Sequence, residues 1–186
     1  MARKKVDEKT IILNSLKLFR QKSFHNTSME DIATSCGILK GSLYHYFSSK
    51  EDLMIKVIDF VHQYFQNEIF IHAWNEKLSA KQKLKKFCSA AEDVFFDKIS
   101  GKLYGNIGIE SALVIPEFNT SIRAFFQDFF NAIKHIYKEK FNEKTANELA
   151  ERSVAEVEGS IMLARIFNDK SYIINTHKRM IERLEK

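Results

Sequence analysis

The chain has 186 residues, 45% of them apolar, with six glycines, one proline and a net charge of +5. That apolar fraction builds a real core and excludes a disordered protein. No run approaches the ~18 uncharged apolar residues of a membrane-spanning helix, and the basic opening predicts no secretory leader. Two cysteines, Cys36 and Cys88, are too few for a disulfide framework, so a reducing cytoplasm is expected.

Charge is unevenly placed. Residues 1–50 hold nine Lys/Arg against four Asp/Glu, while residues 51–186 hold twenty of each. A basic end suits a polyanion, although so small an excess also fits a solvated basic tail. Two domains are expected, 1–50 and 51–186.

Apolar residues recur at helical spacing and no alternation of period two is sustained, so an all-α fold of about nine helices is expected. The first covers Asp7–Lys22, with Ile12, Leu16 and Phe19 inward. The second runs from Thr27 to about Ser35, where Thr27 and Glu30 have capping-box spacing. A short third covers Lys40–Tyr46. The fourth runs from Ser49 towards Trp74, with Leu53, Val57, Phe60, Val61, Tyr64 and Phe65 inward. The fifth spans Ala80–Ile99. The Gly-punctuated stretch Gly101–Gly108 precedes a short sixth. Pro116 opens a seventh, since its missing N–H costs little in a first turn. Thr145 and Glu148 have the spacing to cap an eighth, and the ninth follows Asp169.

The second and third helices carry the functional signal. Ile32 and Cys36 face inward, Ala33 permits a close crossing, and Gly37 can take the positive φ that ends a helix in a sharp turn. Ile38 plugs the turn, and Leu43 and Phe47 give the next helix an inner face. This is helix-turn-helix design, in which the outer face of the second helix enters the major groove of DNA. That face offers Lys40, Ser42, Tyr44 and His45, with no acid between Thr34 and Lys50. Lys reaches guanine or phosphate, Ser donates to either, and Tyr packs on a thymine methyl. Gly41 removes a side chain where the helix meets DNA. The next helix start, with Lys50, can clasp a phosphate. An ordinary helical hairpin is the alternative.

The stretch Gly37–Leu53, with Ile11–Phe19 and Thr27–Ala33 before it, closely resembles the signature of the tetracycline-repressor (TetR) family of transcriptional regulators. The resemblance covers about Thr10–Leu53. It implies that Thr27, Ser28, Lys40, Tyr44, His45, Tyr46 and Lys50 match DNA-contacting positions, with Lys40, Ser42 and Tyr44 nearest base edges. Two positions depart. Leu39 stands where a Ser or Thr cap is usual, at a cost of about 0.5–2 kcal/mol. Ser23 stands where Gly is common, and a positive φ there costs roughly 1 kcal/mol.

The resemblance also implies an effector cavity, and a homodimer is expected because one recognition helix this short contacts too few base pairs for specificity. Thirteen of the sixteen phenylalanines follow residue 50. Phe87, Phe95, Tyr104, Phe125, Phe129 and Met162 are the pocket candidates for a small, largely apolar effector, with core packing as the alternative for each. Val154, Val157, Gly159, Ile161, Ile173 and Met180 are the interface candidates on the last two helices, about Glu143–Phe167 and Lys170–Glu185. They either meet a two-fold partner or pack on their own subunit. A dimer reading a palindromic operator places its recognition helices about 34–36 Å apart. The six histidines show no ligand spacing, and no catalytic, P-loop or dinucleotide motif is present. A regulator rather than an enzyme is expected, with no cofactor and no metal.

Overall fold

In the computed structural model, the structure describes residues 6–96 and 116–185. Among the described residues there are eight α-helices and no strand. They are α1 Glu8–Lys22, α2 Met29–Cys36, α3 Lys40–Leu43, α4 Lys50–Glu68, α5 Ala80–Phe96, α6 Asn119–Lys138, α7 Glu143–Ile166 and α8 Ser171–Glu182. The stretch Gly101–Gly108, the expected sixth helix and Tyr104 lie outside the described residues.

The helix starts show what each sequence signal does. Asp7 caps α1 by accepting from the Thr10 N–H at 2.6 Å. The start of α2 corrects the expectation. Ser28, not Thr27, is the cap, in a reciprocal box with Asp31. Thr27 is 1% exposed and its hydroxyl donates to the Ser23 carbonyl at 2.7 Å. Burial takes Thr27 into the core and leaves the cap to its neighbour. α3 is shorter than expected, ending at Leu43. α4 stops at Glu68 and yields to a 3-10 turn, Phe70–Trp74. Its inner face is Leu53, Met54, Val57, Ile58 and Phe65, while Tyr64 turns outward. Pro116 opens a 3-10 turn, Pro116–Phe118, directly before α6. Asn142, rather than Thr145, caps α7, accepting from the Thr145 N–H at 2.9 Å. Asp169 accepts from the N–H and the hydroxyl of Ser171, both at 2.8 Å, and so anchors α8.

The chain divides into two packing units. The described part of the first comprises residues 6–62 and 116–122. Its core is Ile11, Leu16, Phe19, Ile32, Leu43, Phe47, Leu53 and Val57, all buried. The unit reaches past residue 50 because the first half of α4 supplies the last two of these. Phe24 packs edge-on against Phe118, centroids 5.4 Å apart.

The described part of the second unit comprises residues 63–96 and 123–185. Phenylalanines fill its middle. Phe70 stacks on Phe87 at 5.8 Å and on Phe129 at 5.7 Å, and Phe125 lies 5.1 Å from Phe65. A polar knot ties α6, α7 and α8 together. The fully buried Tyr137 hydroxyl donates to the Met180 carbonyl at 3.1 Å and meets the Ser153 hydroxyl at 3.2 Å. Arg183 donates to that same Ser153 at 3.0 Å and pairs with Glu156. Every buried polar atom in the knot has a partner, the condition under which such a network fixes one arrangement. Buried Lys83 pairs with Glu139. Half-buried Glu158, by contrast, has its carboxyl pushed up to about 7 by burial, with Arg165 opposing.

Candidate nucleic-acid interface

The turn between α2 and α3 depends on Gly37. Its φ is +66°, and its N–H donates to the carbonyls of Ala33 and Thr34. The Ile38 N–H also reaches the Ala33 carbonyl, at 3.1 Å. An L-residue at Gly37 would be strained, so only glycine closes this turn at no cost.

Beyond the turn, α3 buries only Leu43. Lys40, Gly41, Tyr44 and His45 lie exposed together, and Ser42 is half-buried. Leu39 is the N-cap residue, 62% exposed, and makes no side-chain cap hydrogen bond. Gly41 is informative because a Cβ built there meets nothing within 4 Å. No described neighbour requires glycine at this position.

The remaining expected contacts are placed less simply. Ser28 is exposed, but its hydroxyl donates to Asp31 at 2.6 Å. That bond, with Lys22 3.0 Å away, holds the Asp31 carboxyl well below the usual range. Thr27 is inside. The Tyr46 hydroxyl donates to the Val6 carbonyl at 2.8 Å and so ties down the start of the described chain. Lys50 does not stand free at the start of α4. Its ammonium donates to the Phe24 carbonyl at 3.0 Å and sits 4.2 Å over the Phe24 ring. The first turn of α4 is also partly satisfied from within. The Asp52 N–H donates to the Ser49 hydroxyl at 3.0 Å, and the Asp52 carboxylate accepts from the Ser48 N–H at 2.9 Å. Sequence reasoning missed these ties, whose partners lie up to 40 residues apart.

A family model described as bacterial regulatory proteins, tetR family, matches residues 11–57. Over nearly the whole chain, the fold is that of a TetR transcriptional regulator from Legionella pneumophila. The TM-score is 0.83 at 23% identity, covering 98% of this chain and 99% of that one. Residues 11–57 thus carry the pattern of the tetR family of bacterial regulatory proteins, and the fold of the chain is shared with its members. Such regulators are not enzymes.

Proteins similar to this chain fall into partial and full matches. YuxN, an uncharacterised helix-turn-helix regulator of Bacillus subtilis, is 41% identical over 73 residues, which are 39% of this chain and 24% of YuxN. IcaR of Staphylococcus aureus, a negative regulator of the biofilm operon icaADBC, is 29% identical over 110 residues, covering 52% of this chain and 59% of IcaR. The matched part is therefore about a quarter to three fifths of these relatives. YxaF, another uncharacterised B. subtilis regulator, is 24% identical over 168 residues, 88% of this chain and 87% of YxaF. The fold also matches B. subtilis FadR, a structure in complex with stearoyl-CoA, with TM-score 0.74 and 18% identity over 96% of this chain and 97% of that one.

In the second unit, Phe87 and Phe129 are buried in the ring stack, Phe95 and Phe125 are half-buried beside it, and Met162 is 54% exposed. Of the interface candidates, Val157, Ile161, Ile173 and Met180 are buried within the subunit. Val154 is half-buried. Gly159 is half-buried too, with open space where a Cβ would stand. From α7 to α8, the large apolar residues that remain outside are Met162 (54% exposed), Ile166 (65%), Phe167 (60%) and Ile174 (46%). Gly159, Met162 and Ile166 fall on one helical stripe of α7. Among the described residues no helix is long and apolar enough to cross a membrane, and no three His, Cys, Asp or Glu residues converge as for a metal.

Proposed function

We propose that the chain is a homodimeric repressor that holds a palindromic operator and releases it when a small, largely apolar ligand binds. Residues 1–50 would carry the DNA contacts, and residues 51–186 the effector and dimer contacts. The observation that carries this reading is the outer face of α3. Lys40, Gly41, Tyr44 and His45 are exposed there with no acid among them, and Gly41 has room to spare. A phosphate backbone selects for such a surface. Lys40, Ser42 and Tyr44 are the base-edge candidates. Ser28 and Lys50 reach phosphate only by leaving their present partners, and Thr27 is buried with its hydroxyl on the Ser23 carbonyl.

Two relatives support the finer parts. IcaR is named a negative regulator, and the FadR structure holds an acyl-CoA. The dimer surface best supported is the stripe Gly159, Met162 and Ile166 with Phe167 and Ile174, because these four large side chains are about half exposed or more, with Phe167 stacked on Tyr172. A four-helix arrangement of α7 and α8 with their two-fold copies would bury it.

Selection of bound duplexes from a random pool by the full chain tests the reading. Recovery of an inverted repeat, with sedimentation as a dimer, is the expected result. Met162→Glu with Ile166→Glu should yield a folded monomer that binds the repeat weakly. No enriched sequence, or a dimer undisturbed by both substitutions, would overturn it.

A further inference from the structure

The second unit carries a groove of about 600 Å³ between the end of α4, the 3-10 turn and α6. Its floor is Phe70, and Ile71 and Trp74 line it while 54% and 49% exposed. Exposed apolar residues taken singly are ordinary. Two in one cleft, beside convergent polar groups, have the makeup of a ligand site. The Trp74 indole lies against the His135 ring, centroids 4.0 Å apart. One part of the indole is thus covered, and the rest is open to the groove. Burial, with the Lys83 charge, holds the His135 pKa below its usual value, so this ring is neutral at pH 7.

The two ends of the groove differ in charge. At one, Gln66 donates to Asp128 at 2.7 Å and occupies that carboxylate. At the other, Lys134 and Lys138 each reach a different oxygen of Glu143, both at 2.7 Å. Two ammonium groups share one carboxylate, so Lys134, Lys138 and Glu143 together carry one net positive charge. Glu143 is itself 62% exposed and can swing away.

We infer that this groove binds a planar aromatic carboxylate, its ring against Trp74 and its carboxylate on Lys134 and Lys138. This gives the proposed effector a place and a charge, and as regulation it rests on that reading. Binding itself does not.

Trp74 is the only tryptophan in the chain, so its emission reports this groove alone. The full chain should be titrated with 4-nitrobenzoate, 4-nitrobenzyl alcohol and 4-nitrobenzylammonium. The acid should quench saturably and at least tenfold more tightly than the other two. Lys134→Gln with Lys138→Gln should abolish that preference while leaving the thermal midpoint near wild type. Equal quenching by all three compounds, or acid binding that survives the double substitution, would overturn the inference. DNA release is read separately, by anisotropy of a labelled operator. Acid that saturates the groove yet leaves DNA held sustains the site and refutes its place in release. A compound that frees DNA without changing Trp74 emission refutes the groove as effector site and leaves the repressor reading intact.

Discussion

Replacing Ser23 with glycine should make the protein more stable. Ser23 follows α1 with φ 68° and ψ 166°, a region that almost only glycine occupies, at a cost of about 1–3 kcal/mol for other residues. Glycine removes that strain. It loses about 0.5–1 kcal/mol to the greater freedom of the unfolded chain, and roughly 0.5 kcal/mol with the exposed hydrogen bond from Asn26 to the Ser23 hydroxyl. The Thr27 bond survives, because it ends on the Ser23 backbone carbonyl. The balance is a gain of about 1 kcal/mol, or roughly 2–4 °C in Tm if the chain melts as one. Ser23→Ala is the control, since it deletes the hydroxyl but keeps the Cβ, and it should be no more stable than wild type. Urea denaturation of the three proteins decides the matter. A glycine variant no more stable than wild type would show that the turn is unstrained and the reasoning wrong.

Gly41→Ala should stabilise the first unit by up to about 0.5–1 kcal/mol yet weaken operator binding roughly tenfold; unchanged binding by anisotropy would mean that nothing approaches α3 there. Lys50→Met should lower unfolding stability by about 1–2 kcal/mol through loss of its carbonyl and ring contacts, with the salt slope of DNA binding unaltered. Lys40→Ala should reduce that slope by about 0.9 without affecting stability, and titrations between 50 and 200 mM salt, on the order used for such slopes, would expose an exchange of these roles. Glu158 has a folded pKa of about 7 against an ordinary 4.5. The folded state therefore holds its proton more tightly, and stability falls as pH rises from 4.5 through 7. Glu158→Gln should raise stability at pH 8 by about 1–2 kcal/mol, less than the full shift implies at about 1.36 kcal/mol per unit because the side chain is only half-buried. It should change little at pH 4.5, and equal effects at both pH values would contradict the burial argument.

What the sequence revealed was local. Gly37, Ile38 and Leu43 specify a turn between two helices within seven residues, so the helix-turn-helix was legible without any tertiary knowledge. The cap of α2 was not, because Thr27 to Glu30 and Ser28 to Asp31 offer the same spacing. Only burial of Thr27 distinguishes them. The tie of Lys50 to Phe24 spans 26 residues, beyond any periodicity. On α7 the difficulty was one of faces. Val157 and Ile161 lie on one apolar stripe, Met162 and Ile166 on another, and hydropathy alone does not say which is turned inward. The phenylalanines raised a similar ambiguity. Their number signals a large apolar interior, but whether rings line a space or fill it depends on how they stack, and Phe70, Phe87 and Phe129 fill it.

The knot around Tyr137 also bears on how the second unit can move. Packed methyl groups let one helix creep along another, since each step exchanges one apolar neighbour for the next. A phenol seated between a carbonyl and a hydroxyl, with a guanidinium behind them, has one seat only. Shifting α8 by a single helical turn, about 5.4 Å, would carry the Met180 carbonyl out of reach and strand a buried hydroxyl, at about 1–3 kcal/mol for that group alone. So α6, α7 and α8 keep a fixed register near Tyr137 and travel as one block. Any rearrangement that a bound molecule produces is then carried by that block as a whole or by the helices outside it, and Tyr137→Phe is the substitution that would let its members slip.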